Sequence, residues 1–294
     1  MRSNKHGFPQ DQYAEVDGLR LRYWTTGQGQ DVLLLHGLGG SVEDWSEAFE
    51  RQDSQFRLWA LDLPGSGRSD KPRRDYSLGF FVRIALRFLD LEGVERAHII
   101  GVSMGGGIGI GLSVEAPAKV HRLVLTNSAL LGRRLHPFLH LCALPLLGEL
   151  LLTPTSKVVE RYISWCLADP TKAPSKWVAI RKDLATLPSA KQGFLAMLRS
   201  STTVLGMRRR VLQPIVMALP SLSPETLIIC GKQDRFIPTR YGQRAATKIP
   251  KAQFVCFPDC GHVPHIECPD LFYPLVFSFL KEGAQLLSKA KDTS

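Results

Sequence analysis

The chain is predicted to fold as an α/β protein with a mostly parallel central sheet, flanked by helices and interrupted by a helical insertion. Three observations lead there. Short apolar runs rich in β-branched residues recur along the sequence, helical stretches fall between several of them, and the alternation stops between Ala129 and Leu219. Continuous apolar runs are what strands buried on both faces of a parallel sheet require. Regular alternation of strand and helix is the pattern that builds such a sheet.

In chain order, the expected strands are Leu19–Tyr23, Val32–Leu35, Leu58–Leu61, His98–Ile100, Leu123–Leu125, Leu227–Ile229 and Phe254–Phe257. Leu78–Leu91 spaces its bulky residues with a helical period, and Gly93 follows as a stop. Met104–Glu115 is a small-residue helix directly after a strand, and Phe272–Leu287 is an amphipathic C-terminal helix. Ala129–Leu219 shows no convincing strand and reads as several helices, punctuated by Pro145, Pro154, Pro170, Pro174, Pro188 and Pro214. Residues 1–128 and 220–294 are therefore expected to form one core, with 129–219 inserted as a cap. The ends, Met1–Gln10 and Ser288–Ser294, are expected to fray.

Composition excludes several classes. With 294 residues, 44% of them hydrophobic and 22% charged, the chain is neither disordered nor collagen-like and can bury a sizeable core. Six cysteines (142, 166, 230, 256, 260 and 268) are too sparse for a disulfide scaffold and read mostly as buried thiols. No run of 18 apolar residues occurs, and the first ten residues hold no apolar stretch. The expected location is therefore cytoplasmic, without a spanning helix or a secretory signal. The net charge of +10 is concentrated: residues 129–219 hold 13 Lys or Arg against 4 Asp or Glu. Such a basic segment suits nucleic acid, an anionic membrane, an acidic substrate or a plain solvated face.

Four short segments carry chemistry. The first is Gly101-Val102-Ser103-Met104-Gly105-Gly106-Gly107, between a buried strand and a helix. A sharp strand-to-helix turn needs glycines where a Cβ would clash, and it holds the serine hydroxyl above the sheet. It also aims the Met104 N–H, at a helix start, toward a developing negative charge. The second is His36-Gly37-Leu38-Gly39-Gly40, a turn after a strand whose Leu38 N–H is the candidate second oxyanion donor. The third and fourth place Asp234 and His262 after the last two strands. Serine alone is a poor nucleophile, so a histidine must take its proton and a carboxylate must orient that histidine.

These pieces, with Asp62-Leu63-Pro64-Gly65-Ser66-Gly67-Arg68-Ser69 and Gly261-His262-Val263-Pro264 followed by Glu267 and Pro269, resemble the α/β-hydrolase superfamily. The resemblance covers most of the chain outside the insertion. It implies a triad in which Ser103 is the nucleophile, His262 the general acid/base and Asp234 its orienter, beneath a helical cap. Some relatives place the acid after the strand equivalent to Leu123–Leu125, but here that place holds Asn127 and Ser128. No cofactor is implied.

Rival readings are weaker. His265 lies beyond Pro264, away from the glycine turn. Cys256, Cys260, His262, His265 and Cys268 fit no usual zinc-ligand spacing, so no metal is expected. Asp62 and His36 read as structural supports of their turns. No phosphate loop, dinucleotide fingerprint or nucleic-acid module is present, so no nucleic-acid partner is expected.

Phe138–Leu152 holds one charge in fifteen residues and lies near Arg133, Arg134, Lys157 and Arg161. It reads as ordinary packing, as an acyl-binding wall, or as a lipid-facing surface suited to anionic lipid. The expected function is hydrolysis of a small-molecule carboxylic ester with a medium or long apolar acyl group. The alternatives are carbon–carbon hydrolysis of a diketone-like substrate, perhydrolase chemistry, or a non-catalytic receptor or scaffold. Relatives that cleave carbon–carbon bonds usually carry an aromatic residue after the catalytic histidine, where this chain has Val263.

Overall fold

A computed structural model describes residues 8–283. Its strands are β1 (Gln12–Val16), β2 (Leu19–Thr26), β3 (Gln30–Leu35), β4 (Phe56–Leu61), β5 (Ala97–Val102), β6 (Val120–Thr126), β7 (Thr202–Thr203), β8 (Gly206–Met207), β9 (Glu225–Gly231) and β10 (Ala252–Phe257). Eight of them form one sheet in the order β1-β2-β4-β3-β5-β6-β9-β10. From β4 to β10 every neighbouring pair is parallel, while β1 and β2 are antiparallel additions at one edge.

Each expected strand lies inside an observed one, for a reason visible in the side chains. On β3, Leu33 and Leu35 face one core and Val32 and Leu34 the other. On β6, Leu123 and Leu125 oppose Val124, and on β9 Ile228 opposes Leu227 and Ile229. A strand covered on both faces has no polar side, so its sequence is continuously apolar. One core is capped by the helices Leu78–Leu91 and Met104–Glu115, the other by Val42, Trp45 and the C-terminal helix Pro269–Glu282.

The structure departs from the sequence expectations in four places. Strand β1 went unrecognised because it is an edge strand with exposed polar positions; the Asp17-Gly18 turn, with φ of 50° and 74°, joins it to β2. The insertion is not strand-free, since β7 and β8 pair as a small hairpin within it. Two-residue strands leave no periodic signal to read. The C-terminal helix begins at Pro269 and stops at Glu282, where Gly283 turns to φ 68°. The remainder of the expected Phe272–Leu287 helix, and the expected fraying of Ser288–Ser294, lie outside the described residues. Of Met1–Gln10, residues 1–7 also lie outside them, but Phe8 is buried with its ring 5.3 Å from that of Trp24.

At the antiparallel edge a buried cation organises the turn after β4. Arg22 donates to Glu43 at 2.8 Å, to Asp11 at 2.7 Å and to Asp62 at 3.3 Å. Asp62, fully buried, also accepts from the Val42 and Arg68 N–H groups, each at 2.7 Å. It thus ties three chain segments together, as a structural role requires. Removing one partner of such a group strands buried charge, at about 3–5 kcal/mol. Arg22→Met should therefore lower unfolding free energy by about that amount, read from urea titration. A loss under about 1 kcal/mol would show the network to be dispensable.

Candidate active site

Strand β5 ends at Val102 and a helix begins at Met104, leaving Ser103 alone to make the turn at φ 54° and ψ −114°. That conformation is strained for any residue with a Cβ. Backbone bonds hold it: the Ser103 N–H donates to Thr126 O at 2.9 Å, and Ser103 O accepts from Ala129 N at 2.8 Å and Gly106 N at 3.1 Å. The helix runs so close to β3 that a Cβ on Gly105 would sit 2.1 Å from Leu35 O. Only glycine fits there.

The turn after β3 is fixed by His36. Its Nδ1 lies 2.7 Å from Gly37 O, so Nδ1 carries the proton, and its Nε2 accepts from Leu63 N at 3.0 Å. Burial lowers the His36 pKa, which keeps the ring neutral and this tautomer in place. Gly39 takes φ 70°, and Gly40 N closes the turn on Gly37 O at 2.9 Å. Gly39 O accepts from the Arg181 guanidinium, and Leu38 O from the Tyr162 hydroxyl at 3.5 Å. Leu38 and Met104 both line the cavity that contains Ser103. Met104 opens its helix, so its N–H has no acceptor within that helix.

Asp234 and His262 meet at the ends of β9 and β10. The Asp234 Oδ2 lies 2.8 Å from His262 Nδ1, while Oδ1 accepts from Phe236 N at 2.7 Å and Ile237 N at 3.0 Å. With a carboxylate at Nδ1, that nitrogen holds the proton and Nε2 is left with a lone pair. His262 and Ser103 line the same cavity. His265 does not line that cavity; it is buried between the rings of Trp45 at 4.8 Å and Phe272 at 5.9 Å, and with Ser103 and His262 it lines a second, smaller cavity.

Two supporting residues were not assigned a role from sequence. Asn127 is buried, donates to Gly261 O at 2.9 Å and accepts from Gly231 N at 3.1 Å. It pins together the turns that carry His262 and Asp234. Glu267 accepts from Gly261 N at 2.6 Å and from Asp169 N, in the insertion, at 2.9 Å. The His262 N–H itself donates to Cys166 O at 2.6 Å, so the insertion braces the histidine turn directly. The one advance signal for these roles was position: Asn127 directly follows a strand beside the elbow, and Glu267 stands five residues after His262.

The cavity encloses about 450 Å³ and is walled by core residues such as Phe81 and Ile108 and by insertion residues such as Leu135, Leu139, Met197 and Ile215. Its charged lining is confined to Asp75, Arg210 and, when protonated, His262.

A parallel sheet carrying a serine elbow, with an Asp-His pair on neighbouring strand ends, is the architecture of an α/β hydrolase. The model of the alpha/beta hydrolase family matches residues 32–275, and the chain belongs to that family. It is 26% identical over 278 residues to a 2-hydroxy-6-oxononadienedioate/2-hydroxy-6-oxononatrienedioate hydrolase of Comamonas testosteroni, covering 91% of this chain and 93% of the relative. It is 26% identical to a 2-hydroxy-6-oxo-6-phenylhexa-2,4-dienoate hydrolase of the same species, with 91% and 93% covered. Among solved structures, the meta-cleavage product hydrolase CumD of Pseudomonas fluorescens IP01 superposes with a TM-score of 0.79 at 25% identity, over 92% of this chain and 97% of that one. These relatives support α/β-hydrolase activity. Among the described residues no helix is long and apolar enough to cross a membrane.

Asn127→Ala removes both ties between the acid and histidine turns. It should lower stability by about 1–3 kcal/mol and slow fluorophosphonate labelling of Ser103; unchanged labelling would show that the turns hold their places without it. A second outcome concerns pH. Burial lowers the His265 pKa to about 4, with the charge of His262 adding to the effect. The unfolded chain binds a proton near pH 6.5 that the fold refuses, so stability present above pH 6.5 is lost as pH falls toward 4. His265→Phe should shrink the loss in unfolding free energy between pH 7 and 4.5 by about 2 kcal/mol, measured by urea titration at both values. An unchanged loss would show that His265 does not carry this dependence.

Proposed function

We propose that the protein is a serine hydrolase of carboxylic esters with a medium or long apolar acyl group. The observation that carries this reading is the cavity: Ser103 and His262 sit in its wall, and the remaining lining is chiefly aliphatic and aromatic. In the proposed reaction His262 Nε2 takes the Ser103 hydroxyl proton as Oγ bonds to the ester carbonyl carbon. The oxyanion accepts hydrogen bonds from the Leu38 and Met104 N–H groups. His262 then gives its proton to the departing alcohol, leaving an acyl-Ser103 ester. Water, deprotonated by the same nitrogen, adds to that ester, and the imidazolium returns the proton to the departing Oγ, releasing the acid and free Ser103. Asp234 keeps Nδ1 protonated throughout and stabilises the imidazolium.

Carbon–carbon hydrolysis is the second reading, favoured by the activities named for the Comamonas relatives. Against it stand Val263 after the histidine and a lining whose described cations near a dienoate carboxylate reduce to Arg210 and the imidazolium.

Hydrolysis of p-nitrophenyl esters from two to sixteen acyl carbons, beside 2-hydroxy-6-oxo-6-phenylhexa-2,4-dienoate, separates the two. Each buried methylene contributes about 0.8 kcal/mol, so kcat/KM should rise by up to about fourfold per carbon until the cavity is full. Ser103→Ala should lower turnover by about 10⁴–10⁶ and Asp234→Asn by about 10⁴. Faster cleavage of the dienoate than of every ester would replace the ester reading with the second one.

A further inference from the structure

We propose that the insertion docks on an anionic lipid surface through an apolar patch and neighbouring arginines. The patch is built from elements that also wall the cavity. Leu139 faces the cavity, whereas Leu141 at the end of the same short helix and Leu146 and Leu150 just beyond it are exposed. Thr202 and Met207 of the hairpin line the cavity, whereas Val204 and Leu205 at its tip face solvent. A hydrogen bond of 3.1 Å from His140 to Thr203 O ties the helix to that hairpin. Each element therefore presents apolar side chains inward and outward at once.

Two features show that this exposure is built in. Leu146 is 84% exposed and Leu205 74%, so neither gains from burial in the folded chain. Leu146 also holds φ 67°, a conformation that glycine adopts freely and leucine does not. At that strained position a large apolar side chain stands in water.

Charge selects the occupant. Arg133 runs against the hairpin, its carbonyl accepting from Met207 N at 2.9 Å, and Arg209 opens the helix that begins two residues after it. Arg133, Arg134 and Arg209 are exposed and form no ion pair among the described residues. Of the four acids of the insertion, Glu149 pairs with Arg199, Glu160 with Lys182, and Asp169 accepts from Thr171; Asp183 is exposed. Exposed leucines and unpaired arginines on the same insertion match a bilayer whose headgroups are negative and whose interior is apolar. A second copy of this chain would bring a like-charged patch against the first.

Docking rests on the patch alone and not on the ester reading, so binding is tested with the Ser103→Ala protein. Sedimentation with phosphatidylcholine vesicles, with and without 30% phosphatidylglycerol, should show at least about tenfold stronger partition into the anionic vesicles, weakening with salt. Leu146→Ser with Leu205→Ser, and separately Arg133→Ser with Arg209→Ser, should each lower that partition by about tenfold or more. In protein that retains Ser103, neither pair should alter turnover of a short soluble ester. Equal partition into neutral and anionic vesicles would overturn the proposal. So would patch-dependent dimers without vesicle binding, or salt-sensitive retention on nucleic acid alone.

Discussion

The arrangement depends on holding one non-glycine residue in a conformation it would not choose. Ser103 at φ 54° is worth about 1–3 kcal/mol of strain, and the fold meets it with bonds from β6, from the following helix and from the first residue of the insertion. The parallel sheet makes this possible because β5 is flanked by β3 and β6, which bring Leu35 and Thr126 alongside the elbow. Packing demands of the sheet and reach of the hydroxyl are met by the same backbone geometry. Gly105 shows how little room there is: one methyl group would collide with the neighbouring strand.

Around that turn, the other proposed participants are placed by buried polar groups rather than by apolar contact. His36 bridges two turns with both ring nitrogens, Asn127 bridges two more, and Glu267 links the histidine turn to the insertion. Hydrogen bonds suit this task because they are directional, while apolar packing tolerates sliding. The strands set the approximate positions and these bonds set the final ones. Membership of the α/β-hydrolase family follows from the strand-borne frame, while much of the cavity wall belongs to the insertion.

Much of the core was legible because its signals are local. A strand buried on both faces is apolar residue after residue, and an elbow needs glycines at fixed offsets from its serine; Leu33–Leu35 and Gly101–Gly105 show both. Strand β1 and the hairpin at Thr202–Met207 were not legible, one being an edge strand and the other too short for periodicity. The roles of Asn127 and Glu267 were harder to read for a different reason. Asn127 and Gly261 are 134 positions apart, and Glu267 and Asp169 are 98 apart, and spacing carries no record of such contacts.

The bond from the His262 N–H to Cys166 O has an evolutionary consequence. Insertions in a hydrolase fold could in principle be exchanged as cassettes, changing what enters the cavity and leaving the core chemistry untouched. Here the insertion also furnishes an acceptor for the backbone of the histidine itself, and Asp169 donates to the glutamate behind it. A replacement segment would have to supply a carbonyl and an N–H at those two points. Selectivity and rate are thereby inherited together, and drift in residues 166–169 is constrained although none of their side chains forms these two bonds.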